Sequence, residues 1–163
     1  AVNAVVRRGG GVILISVIIA YLLAVLPLPD WAGPWRPEWA ALVLIYWCMA
    51  VPYRVGVIAG WFVGLGQDML QASLLGQHAR AYALLAYMVL RLHQRIRVYP
   101  LPQQALIVLL LLFVVHLVQG WSSGLAARPV PITAYWAPVA VGTVLWPAVF
   151  VFMRGVRRRF HVQ

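Results

Sequence analysis

Between residues 12 and 153 the chain is a succession of apolar runs, parted by breaks rich in proline, glycine and arginine. A helix that is hydrophobic on every side belongs in lipid or inside a larger core, and one such run, 103–119, is nearly unbroken aliphatic sequence interrupted by His116. Of the 163 residues 64% are hydrophobic and only 10% are charged, against roughly 25% charged in soluble domains. At about 20 residues per membrane span, this length holds at most about six helices and no second soluble domain. The expected fold class is therefore an all-α integral membrane protein, with six transmembrane helices in one bundle forming a single domain over 1–163.

The runs set the expected spans. Helix one covers 12–28 and ends in a turn-forming stretch with Pro27, Pro29, Asp30, Gly33, Pro34 and Pro37. Arg7 and Arg8 before it resemble the start of a secretory signal, but 27–37 offers no small-residue cleavage site, so an uncleaved first span is expected. Trp31, Trp35 and Trp39 place the following loop at headgroup depth, where tryptophan is enriched. Helix two, 40–53, is short for a bilayer, and flanking tryptophans or local thinning would have to make up the difference. Helix three runs from 55 to about 70, a turn covers 71–78, and helix four covers 79–92 before a basic run of Arg91, His93, Arg95 and Arg97. Helix five is 103–119, a loop covers 120–135, and helix six is 136–153 despite Pro138 and Pro147.

All 13 basic residues are arginine, and the acids are only Asp30, Glu38 and Asp68. In a soluble protein the net charge of +10 would suggest nucleic acid. With six spans it instead divides by side: Arg7, Arg8, Arg54, Arg91, Arg95, Arg97, Arg154, Arg157, Arg158 and Arg159 on one, and Arg36, Arg80 and Arg128 on the other. The positive-inside rule then makes both termini cytoplasmic. Membrane lipids are the expected surroundings, with no nucleic-acid partner.

Gly56, Gly60, Gly64 and Asp68 are spaced four apart and share one helix face. Glycines at this spacing let a second helix approach until the backbones nearly touch. The face can seat a partner or pack internally, and the same two uses are open to Ser16, Ala20 and Ala24 in helix one. Asp68 ends the glycine line. A carboxylate at membrane depth is costly unless it is paired or reaches water, so it is either functional or a cap for the break before Gly76. With Gln71, His78, Arg80, Tyr82, His116 and Gln119 it makes up the polar residues of the outer half, which either line a pocket or bond to headgroups and to one another.

Chemistry is not encoded in a familiar pattern. Asp30 and Glu38 have no fixed geometry for paired-carboxylate hydrolysis, the four histidines lack metal-ligand spacing, and no serine sits in a nucleophile elbow. Cys48 is the single cysteine, so no intrachain disulfide forms. No catalytic residue, metal or cofactor is expected.

Several stretches, in order along nearly the whole chain, resemble the MreD family of rod shape-determining proteins of Gram-negative bacteria. They are Arg36-Pro37-Glu38-Trp39, Tyr46-Trp47, Pro52-Tyr53-Arg54-Val55, Gly60 and Gly64 with Asp68 through Ser73-Leu74-Leu75-Gly76, Gln103-Gln104-Ala105-Leu106, and Leu145-Trp146-Pro147 with Met153-Arg154. The resemblance implies a non-catalytic inner-membrane subunit of the machinery that builds lateral peptidoglycan. It would bind MreC and join a complex with MreB, RodA and the transpeptidase that partners RodA. It also implies a fold similar to the substrate-binding S-components of energy-coupling-factor transporters, which supplies the rival reading of a small-molecule or lipid binder.

Overall fold

The computed structural model describes residues 10–26, 38–51, 55–71, 76–124 and 132–159. Among them are six helices and no strand: α1 Gly10–Val25, α2 Trp39–Ala50, α3 Val57–Gln71, α4 Gln77–Val98, α5 Leu101–Gly124 and α6 Ile132–Arg159. The loop at 27–37 with Trp31 and Trp35 lies outside the described residues, as do Arg7, Arg8, Arg36, Arg54 and Arg128.

The short helix is the axis of the bundle. Every residue from Ala40 to Ala50 is buried, because α2 packs against α1, α3, α4 and α6. At about 1.5 Å per residue it is only about 18 Å long, well short of a hydrocarbon core of about 30 Å. Bilayer thinning is not needed to explain this. A helix enclosed by its neighbours need not match the lipid, since backbone at membrane depth is tolerated where protein buries it. Tyr46 and Trp47 meet edge to face with ring centres 5.3 Å apart, and Trp146 of α6 is fully buried beside them in the core.

Three helices exceed their expected bounds at both ends. α5 continues to Gly124, and α6 starts at Ile132 and runs through Pro138 and Pro147 to Arg159. α4 starts two residues early and carries six more beyond Leu92, because a helix does not end where its sequence turns polar. Arg91 stays on it by donating from Nε to the Tyr87 hydroxyl at 3.1 Å, with its guanidinium 5.5 Å from the Tyr87 ring centre. Tyr99 and Pro100 turn α4 into α5. Gln104 meets Trp146 near one end of the α5–α6 pair, and Phe113 stacks on Trp136 farther along, so these helices are antiparallel.

Among the described residues two helices are long and apolar enough to cross a bilayer, over Leu101–Gln119 and Trp136–Arg159. α1, α2 and α3 are apolar and shorter.

Candidate functional site

The most extensive helix pair is α3 with α4, and the glycines make it possible. A Cβ on Gly60 would lie 2.7 Å from the Tyr82 carbonyl oxygen and 2.9 Å from the Ala86 Cβ. One on Gly64 would collide with the backbone of His78 and Ala79, at 2.6 Å from the Ala79 Cα. Gly56 sits where the helices part, with the nearest atom, Leu90 Cδ1, at 3.9 Å. The face these glycines open is therefore filled by the chain's own α4. As an interface for a partner, Gly60 and Gly64 are already occupied.

Asp68 lies one turn beyond Gly64, and its carboxylate holds the start of α4. Oδ2 accepts from the backbone N–H of Gly76 at 2.9 Å and of Ala79 at 3.3 Å, and Oδ1 accepts from the N–H of His78 at 2.8 Å. The His78 ring places Nδ1 2.8 Å from the same Oδ1. The first turn of a helix leaves N–H groups without intrahelical partners, and a carboxylate there also meets the positive end of the helix dipole. Gly76, at the N-cap of α4, has φ +96°, a left-handed conformation that suits glycine. Having no side chain, it cannot cap the helix itself, and the acid of the preceding helix does so. Four donors on one carboxylate is the geometry of a structural cap, and Asp68 is 1% exposed.

One turn into α4 the polar chain continues. His78 meets the Tyr82 ring edge on, with centres 5.7 Å apart. The fully buried Tyr82 donates its hydroxyl to Glu38 Oε2 at 3.4 Å. The other oxygen of Glu38 lies 3.6 Å from His116 Nε2 on α5. His116 Nδ1 is 3.1 Å from the Leu112 carbonyl, so both ring nitrogens face oxygen. Gln119, one turn further along α5, is buried on the same side. Asp68, His78, Tyr82 and His116 thus belong to one buried cluster, linked through a residue the sequence had placed in a loop. The sequence signal for Glu38 is its position, an acid directly before Trp39 at the start of an apolar run. Gln67, next to Asp68 in α3, is also buried, and its Oε1 accepts no hydrogen bond among the described residues. The side chain of Gln71, at the end of α3, lies outside the described ones.

The second small-residue stripe also faces inward. Ala20 and Ala24 are buried, and α1 lies on α2 and α3. Ser16 Oγ accepts from Trp47 Nε1 at 2.8 Å and donates to the Ile13 carbonyl at 2.6 Å. The Tyr21 hydroxyl donates to the Val63 carbonyl on α3. At the opposite end of α4, Gln104 donates to the carbonyls of Ile96 and Tyr99 at 2.9 and 3.1 Å, and its Oε1 accepts from Trp146 Nε1 at 3.4 Å. Both ends of α4 are thus closed by side chains from neighbouring helices.

Taken together, two helices long and apolar enough to cross a bilayer and buried polar groups that tie helix to helix describe a helical membrane protein. The chain belongs to the MreD family of rod shape-determining proteins: the family model described as rod shape-determining protein MreD matches residues 7–156. The rod shape-determining protein MreD of Haemophilus influenzae is similar to it, 32% identical over 148 residues that cover 90% of this chain and 91% of that one. No solved structure matches.

Proposed function

We propose that this chain is a non-catalytic, multi-pass subunit of the bacterial inner membrane that binds MreC within the cell-elongation complex. MreB, RodA and its partner transpeptidase belong to the same assembly. Its six helices form one transmembrane domain, similar in fold to the S-components, with both termini cytoplasmic. Family membership supports the role in rod shape.

The observation that carries the non-catalytic part is the use made of Asp68. Its four contacts hold the first turn of α4 and the His78 ring, an arrangement that fixes a helix end. Since α4 and α6 are each antiparallel to α5, Arg91 and Arg95 emerge on the same side as the arginines ending α6, which agrees with a cytoplasmic C terminus. The binding face for MreC lies elsewhere than on Gly60 and Gly64.

A second reading, an S-component-like binder of a small molecule or lipid, is favoured by one observation. Gln67, next to Asp68 in α3, keeps a buried acceptor with no hydrogen bond among the described residues, and a ligand's donor would gain from meeting it. Co-expression with MreC and purification in mild detergent separates the two. The scaffold reading expects an equimolar complex. Purification alone, with a small molecule other than a phospholipid retained through gel filtration, would replace it by the binder.

A further inference from the structure

Between α1 and α6 lies an open apolar groove of about 500 Å³, within the roughly 300–1,000 Å³ of ligand sites. It extends from Val12 to Leu23 on α1 and from Leu145 to Val156 on α6, with Trp39 and Val43 of α2 also in its wall. The hydroxyl of Ser16, also in the wall, is engaged by Ile13 and Trp47.

Its length and its charged end indicate what fills it. Each helix contributes eleven residue steps, about 16 Å at 1.5 Å per step, which is about one leaflet of a hydrocarbon core of about 30 Å. A membrane-crossing partner helix would find only half its length seated. Beyond Val156 the last turn of α6 is Arg157, Arg158 and Arg159. Arg159 follows Val156 by three residues and Phe152 by seven, on the same face, and is exposed. Arg157 turns inward toward the buried Tyr46 hydroxyl. The negative helix end amounts to about half a charge, so three arginines leave this end positive. Neither α1 nor α6 contains an acid to offset them.

We propose that this groove seats an acyl chain of one anionic phospholipid of the cytoplasmic leaflet, with its phosphate on Arg159. The leaflet assignment rests on the orientation given above. Lipid retention in detergent does not depend on orientation, so the two ideas fail separately.

Native mass spectrometry of the purified chain, titrated with dioleoyl phosphatidylglycerol or dioleoyl phosphatidylethanolamine, tests the proposal. Wild type should retain one phosphatidylglycerol roughly tenfold more than phosphatidylethanolamine, a preference supplied by the arginines. Ala148→Phe and Ile19→Trp fill the groove from opposite helices at exposed positions, and each should abolish retention while eluting as wild type. Arg159→Gln should cut that preference about fivefold, the contribution of one arginine near the headgroups. Equal retention by wild type, or two folded groove-filling variants that still hold the lipid, would overturn the proposal. So would a co-expressed single-span helix that occupies the groove, excludes phosphatidylglycerol and is released by Ala148→Phe.

Discussion

Gly64→Ala is the smallest change that tests the α3–α4 seam. The added methyl would sit 2.6 Å from the Ala79 Cα, where carbon atoms prefer about 3.5–4.0 Å. The neighbouring atoms are backbone, so no rotamer can relieve the contact, and the helices must part by about 1 Å, which already forfeits a quarter to a half of each close contact along the seam. One turn away, the Asp68 bonds to Gly76 and His78, now 2.8–2.9 Å, would lengthen with the same movement. Overpacking of this kind costs about 1–3 kcal/mol, and the intrinsic helix preference of alanine returns about 1 kcal/mol. Stretching the cap removes part of what four bonds to a carboxylate contribute, so the expected net loss is about 1–3 kcal/mol. Gly155→Ala supplies the control: nothing lies within 4 Å of its Cβ position on α6, so only the helix-preference gain of up to about 1 kcal/mol remains. Thermal unfolding in one detergent, read by loss of the monomer peak on gel filtration, should move the two variants in opposite directions. Gly64→Ala as stable as wild type, or rising together with Gly155→Ala, would refute the seam.

Asp68→Asn should fall between wild type and Asp68→Ala in thermal stability. Both carboxylate oxygens accept hydrogen bonds and asparagine keeps one acceptor, with about 1–3 kcal/mol at stake for each buried donor left unmatched; an asparagine variant equal to wild type would remove the four-donor cap. Glu38→Ala should cost about 1–3 kcal/mol by leaving the buried Tyr82 hydroxyl without its acceptor, and should cost less in a Tyr82→Phe background. Identical costs in the two backgrounds, measured as a double-mutant cycle, would show that this pair is not coupled.

Six apolar runs were legible because charge and proline interrupt them, and their order matches the six helices. Their ends were less legible. Arg91, His93 and Arg95 mark the edge of apolar sequence, whereas the helix continues to Val98, since hydropathy reports surroundings and not backbone bonding. The central place of α2 was hidden for a related reason: Leu42 and Ile45 read alike whether they face lipid or protein. Spacing alone located Gly60, Gly64 and Asp68 on one line but left open which helix would meet it. The pairing of Glu38 with Tyr82 and His116 joins residues far apart in sequence, and no local pattern announces it. Glu38, Gln104 and Trp146 do lie within the stretches that carry the family resemblance. Several of those stretches are thus places where helices are fastened together, which explains why they looked like a signature without looking like chemistry.

The claim that joins these observations is a six-span bundle with the polar cluster toward the outside and the arginine-rich helix ends in the cytoplasm. Paired reporter fusions, one reporter active only in the cytoplasm and the other only outside it, test that claim directly. Fusions after Arg97 and after Gln163 should read cytoplasmic, and fusions at Gly33 and Ala127 should read periplasmic. A periplasmic C terminus would require an odd number of crossings and would contradict the account.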